Sequence, residues 1–119
     1  MDTICNAVRL KPGSLERVRA WAQTLNDTRR SETLATLHDE AMLIESVFFW
    51  HTDGADYLIY YLKAENLARA QEIFARSTHA IDAFHAQFKR DTFESTQPLA
   101  LLLDLDTLCE LPGTTTASG

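Results

Sequence analysis

The hydrophobic positions change period along the chain, and the changes mark the elements. Ile4, Val8 and Leu10 alternate with polar residues over 3–11, which predicts a strand, and Asn6 falls on their face. Pro12-Gly13 ends it and Ser14 is a good helix N-cap. Leu15, Val18, Ala22 and Leu25 then recur at helical spacing with Trp21 beside them. Beyond Leu25 that stripe fails, since at ~100° per residue it would bring Arg29 and Glu32 inward. Either the helix bends near Asn26-Asp27, or Ser31 caps a second short helix ending near Glu40.

Residues 42–51 are β-branched, aromatic and apolar, Asp53-Gly54 is a hairpin signal, and 57–63 read as the returning strand. With a two-residue turn, Glu45, Val47, Phe49, Leu58 and Tyr60 share one face, and Ser46, Phe48, Trp50, Ile59 and Tyr61 the other. Asn66 caps a helix whose stripe runs Leu67, Ala70, Phe74, Ser77, Ile81, Phe84, Phe88. The apolar run 99–106 is expected to be the last strand. The result is one α+β domain over 1–106, with 107–119 expected to be a mostly disordered tail.

The order βαββαβ gives a ferredoxin-like sandwich. With right-handed crossovers the antiparallel sheet has strand order 4-1-3-2 and both helical segments on one face. The other face would be bare, yet the hairpin strands carry large apolar residues at odd and even positions alike. Burial of that face against a second copy, as a homodimer, is the expected consequence.

Composition narrows the function classes. A formal charge of −6 argues against a nucleic-acid partner. No run approaches the ~20 apolar residues of a bilayer span, so no membrane partner is expected. The N-terminal residues lack the pattern of a secretory signal, and a cytoplasmic location follows as the expectation. Cys5 and Cys109 are expected to be free thiols, although neighbouring first and last strands would bring them close.

Lys11-Pro-Gly, Trp21, Ile44-Glu-Ser-Val-Phe, Asp53-Gly with Tyr57-Leu-Ile-Tyr-Tyr, and Ser77-Thr-His-Ala-Ile-Asp carry a family resemblance over residues 3–106. The chain resembles a family of short bacterial proteins of unknown function in the dimeric α+β-barrel superfamily. That superfamily includes antibiotic-biosynthesis monooxygenases, haem-degrading monooxygenases and small lactone isomerases. In the haem-degrading enzymes an Asn on the first strand and a His on the second helix face a cleft with a Trp. Asn6 and His79 stand at similar places here, but Tyr60 or Tyr61 stands where the Trp would be.

Glu45 lies within an apolar strand, where an unpaired carboxylate is costly. It needs a partner such as Arg9 or Arg29, or it lines a cleft as a general base with a raised pKa. His79 reaches a cleft only if the second helix breaks near Ser77. His85, at the edge of the stripe, reads as a hydrogen-bonded boundary histidine. His79, Asp82 and His85 drift ~60° per step around a helix and do not converge, so no metal is expected. No cofactor is called for either.

The candidate site is therefore Asn6 and Tyr60 binding a ligand, with Glu45 and His79 moving protons. The leading reading is a homodimeric small-ligand-binding or interaction module. The alternative is a cofactor-independent monooxygenase or isomerase acting on a small aromatic or lactone-type substrate between sheet and helices, with a haem-binding enzyme as a third class.

Overall fold

The computed structural model describes residues 1–108, and residues 109–119 of the expected tail, Cys109 among them, lie outside them. The sheet has four antiparallel strands: β1 (Asp2–Leu10), β2 (Met42–Thr52), β3 (Ala55–Ala64) and β4 (Phe93–Pro98). Their order is β2-β3-β1-β4, the arrangement the hydrophobic pattern implies. Four helices cover one face: α1 (Leu15–Gln23), α2 (Arg30–Asp39), α3 (Leu67–Arg76) and α4 (Ala80–Thr92).

Hairpin register fixes which side chains meet the helices. Thr52 pairs with Ala55 across Asp53-Gly54, and both turn residues have positive φ (51° and 73°), as a type I′ turn demands. Val47 then pairs with Tyr60, and Glu45 with Leu62, on the helix side. Phe48 and Trp50 fall on the open side and are 62% and 53% exposed. β1 brings Val8 opposite Leu58 and Asn6 opposite Tyr60. Val8, Leu10, Val18, Trp21, Leu58, Tyr60 and Phe88 make the core, with Trp21 and Phe88 stacked at 4.3 Å between ring centroids.

The helical layer is interrupted twice. After α1 the chain runs through a π-helical turn at Thr24–Thr28 before α2 begins at Arg30, with Arg29 rather than Ser31 at the cap position. The wider turn rotates the helix face at the place where the apolar stripe fails. Between α3 and α4, Ser77 and His79 are extended (ψ 139° and 134°), and the Ser77 hydroxyl accepts from the His79 amide at 3.1 Å.

The last strand lies earlier than the apolar pattern predicts. Phe93–Pro98 pairs with β1, whereas 101–107 have no regular structure. Sheet edges favour polar side chains and tolerate proline, so Glu94-Ser-Thr-Gln-Pro98 is well suited to an edge and carries little hydrophobic signal.

Beyond β4 the chain forms an arm, tied down by charge. Lys63 on β3 is 1% exposed, and its ammonium donates to Thr3 Oγ1 (2.6 Å), Asp104 Oδ1 (3.0 Å) and Asp106 Oδ2 (2.8 Å). The hydrogen bonds to Asp106 and Asp104 raise the Lys63 pKa and depress those of both carboxyls. Between and around these anchors the arm exposes Leu102, Leu103 and Leu105 at 92%, 74% and 81%.

Candidate active site

Each helix that borders the cleft contributes one face at helical spacing. From α2 come Thr33, Thr36, Leu37 and, just past its end, Glu40. From α3 come Leu67, Ala70, Gln71 and Phe74, and from α4 Ile81, Asp82, His85 and Lys89. Met42, Glu45, Tyr60 and Leu62 form the floor on β2 and β3. The half-open cleft has a volume of about 170 Å³, enough for a small molecule or several waters. The helices that border it flank the two breaks in the helical layer, the π-helical turn at Thr24–Thr28 and the extended link at Ser77 and His79.

Polar groups are concentrated here. The Tyr60 hydroxyl is buried and has no hydrogen-bond partner among the described residues, although Tyr60 itself is only 5% exposed. Buried hydroxyls are nearly always paired, so an orphan hydroxyl on a residue that lines a cleft marks the place where a bound oxygen or a water would find a donor. Burial, and secondarily the charge of Glu45, raise the Tyr60 pKa and keep the phenol protonated. It is therefore available as a donor.

The carboxyls are tuned upward. Glu40 is pushed up to about 7, first by burial and then by repulsion from Asp82 and Glu45, with Lys89 opposing. Burial likewise raises Glu45, against the pull of Lys89. Glu40 reaches this position because Ala41 takes a left-handed conformation (φ 52°) that turns the chain from α2 into β2. A non-glycine residue held there is strained, and such strain is commonly found beside functional sites.

Lys89 extends its ammonium to 5.3 Å from the Phe74 ring centroid, and burial lowers its pKa. The His85 pKa falls to about 3 through burial and the nearby Lys89 charge. His85 Nδ1 accepts a 3.0 Å hydrogen bond from Trp21 Nε1, so the boundary histidine is hydrogen-bonded as expected and also lines the cleft.

The four residues singled out from the sequence do not all converge. Glu45 and Tyr60 line the cleft together. Asn6 sits on the same sheet face, opposite Tyr60, but is not in the lining. His79 stands on the break near Ser77, yet the break does not turn it into the cleft. It is exposed in an adjoining groove, with Nε2 3.7 Å from Asp39 Oδ2. Neither proposed cation meets Glu45, because Arg9 pairs with Glu94 (3.1 Å) and Arg29 with Glu32 (2.7 Å). Among the described residues no group of three or more His, Cys, Asp or Glu side chains is placed to hold a metal.

Glu40, Asp82, His85 and Lys89 complete the site and were not assigned to it from sequence. Thr33, Thr36 and Glu40 put polar groups on one helix face beside Leu37, a pattern that a solvated helix face shares.

The chain belongs to the family of unknown function DUF6176, whose pattern matches residues 1–110. None of the curated proteins matches it by sequence. Among solved structures it is similar to an L-rhamnose mutarotase from Formosa agariphila, with TM-score 0.58 and 14% identity over 89% of this chain and 100% of that one. It is also similar to a protein from Agrobacterium tumefaciens, with TM-score 0.52 and 15% identity over 83% and 89%. At these identities the likeness is one of fold. This chain thus has the ferredoxin-like α+β fold that its element order implies, and no described helix is long and apolar enough to cross a membrane.

Glu40 carries a consequence for stability. A carboxyl whose folded pKa lies above its unfolded value binds more protons when folded, so stability falls as pH rises from about 4.5 through 7. The upper limit of ~3 kcal/mol from that shift is reduced by solvent in the open cleft to roughly 1–2 kcal/mol. Glu40→Gln is expected to be more stable than wild type by that amount at pH 8 and equal to it near pH 4, as read by urea unfolding at both values.

Proposed function

We propose that this protein is a cofactor-independent isomerase that moves protons on a small, uncharged cyclic hemiacetal bound between sheet and helices. The observation that carries the reading is the orphan Tyr60 hydroxyl in a cleft whose lining also holds Glu45 and Glu40, the latter with its pKa pushed up to about 7 by burial. A carboxyl with pKa near 7 is populated in both protonation states at physiological pH, which suits a general acid–base pair. Of the two cofactor-independent activities left open by the sequence, oxygenase and isomerase, these proton-moving groups favour the isomerase. The mutarotase named among the structural neighbours points to the same class, as an analogy of fold.

In the proposed reaction one glutamate carboxylate removes the proton of the anomeric hydroxyl. The other, protonated, delivers a proton to the ring oxygen as the bond between anomeric carbon and ring oxygen breaks. The product is an open-chain aldehyde. Rotation about the adjacent carbon–carbon bond and reversal of both proton transfers close the other anomer. Tyr60 donates a hydrogen bond to a substrate oxygen throughout. Three carboxyl residues against one lysine in the lining disfavour anionic substrates such as sugar phosphates.

Anomer exchange of L-rhamnose and a panel of neutral aldoses, followed by saturation-transfer NMR, tests this directly. Wild type is expected to accelerate exchange of at least one sugar, and Glu45→Gln or Glu40→Gln to reduce it by about 10²–10⁴-fold. Absence of acceleration across neutral aldoses overturns the reading.

The working unit we propose is a homodimer formed across the open sheet face. Phe48 and Trp50 lie toward one end of that face and the Lys63-anchored leucine arm toward the other. Tyr57, the partner of Trp50, and Lys63 are six residues apart on β3, a separation of ~20 Å. A two-fold rotation would lay the arm of one copy over the aromatic end of the other, burying both apolar sets. Sedimentation equilibrium at micromolar concentration is expected to give twice 13.4 kDa, and Phe48→Asp to give the protomer mass. A wild-type monomer would contradict the dimer.

A further inference from the structure

The indole of Trp21 does more than fill the core. Its Nε1–H is a donor only, and it lies 3.0 Å from His85 Nδ1. Nδ1 must therefore be the unprotonated, accepting nitrogen, and the ring proton of neutral His85 must sit on Nε2. The ring is fixed in that orientation by stacking on Trp21 at 5.5 Å and by the edge of Phe74 at 6.1 Å. His85 nevertheless lines the cleft, and Nε2 hydrogen-bonds nothing among the described residues.

We infer that Trp21 is a positioning residue that locks His85 in its Nε2–H tautomer, so that His85 presents a neutral hydrogen-bond donor to an oxygen of the bound substrate. This rests on the isomerase reading for its chemical use, where the oxygen gaining negative charge on ring opening is the partner. The tautomer itself does not depend on that reading. A neutral donor suits such a partner, because it stabilises developing charge without surrendering its proton to the nearby carboxylates.

Burial and the nearest charge act on His85 in one direction. Lys89 on its own helix opposes a second proton on the ring, and the aromatic shell of Trp21, Phe74 and Phe88 withholds solvent. Glu40 just past α2, Glu45 from β2, Asp82 from α4 and the Tyr60 phenol from β3 border the same space. The three carboxyl groups accept from the substrate's hydroxyls, whereas Tyr60 and His85 supply donors. The site then reads as donors and acceptors arranged around one polyhydroxylated molecule.

The test is the long-range ¹⁵N–¹H spectrum of the imidazoles in the full-length protein. Wild-type His85 is expected to show the pattern of a single Nε2–H tautomer down to pH 5. Trp21→Phe, which keeps the stacking on Phe88, is expected to shift His85 toward a mixture with Nδ1–H. With a neutral aldose that the wild type isomerises, His85→Leu should lower kcat by about 10²-fold. His85→Gln, which restores a donor, should recover part of that loss. An Nδ1–H tautomer in wild type, or a tautomer unchanged in folded Trp21→Phe, overturns the inference. If Trp21→Phe does not fold, the wild-type tautomer decides alone. Failure to find any isomerised sugar would sink the isomerase reading while leaving the tautomer assignment to stand or fall by its own spectrum.

Discussion

A buried phenol without a partner is the constraint around which the cleft is organised. Leaving a hydroxyl unsatisfied inside a protein costs on the order of 1–3 kcal/mol, and here the hydroxyl belongs to Tyr60, a core residue. Glu45, diagonal to it on the neighbouring strand, adds a partly buried carboxyl without a direct ion pair among the described residues. A fold selected only for stability would fill this space with apolar side chains. The helices instead open over it, through the π-helical turn on one side and the extended Ser77–His79 link on the other.

The same strands serve two purposes because a strand has two faces. Even-numbered residues of β3, Leu58, Tyr60 and Leu62, go to the core and cleft. Odd-numbered ones, including Lys63, go to the open face, where the arm settles. Lys63 is buried there only because two aspartates of the arm surround it. That ionic knot holds a row of leucines in water, an arrangement that makes physical sense when another surface covers them.

The hairpin is legible in the sequence because Asp53-Gly54 fixes its register, and register fixes faces. That register alone puts Glu45 and Tyr60 on one side of the sheet. The break at Ser77 is legible as a condition for His79, but the condition is insufficient, since His79 ends at the mouth of a different groove against Asp39. Hydrophobicity misplaces β4 because it marks buried strands, and an edge strand paired through its backbone needs none. Glu40 and Lys89 escape notice for a related reason. A cleft between helices is lined by polar residues at helical spacing, and that pattern is indistinguishable in one sequence from a solvated helix face. Only the packing of α2 against α4 shows which polar face looks inward.

The central claim is that this cleft holds a carboxyl kept ready to exchange its proton near neutral pH, beside a donor phenol. Side-chain carboxyl ¹³C shifts of Glu40 and Glu45, followed from pH 4 to pH 9, measure it most directly. An acid–base cleft predicts a Glu40 midpoint near 7, an elevated Glu45, and a downward move of the Glu40 midpoint in Glu45→Gln as one repelling charge is removed. Both carboxyls titrating at ordinary values near 4.5, with no response to that substitution, would contradict it.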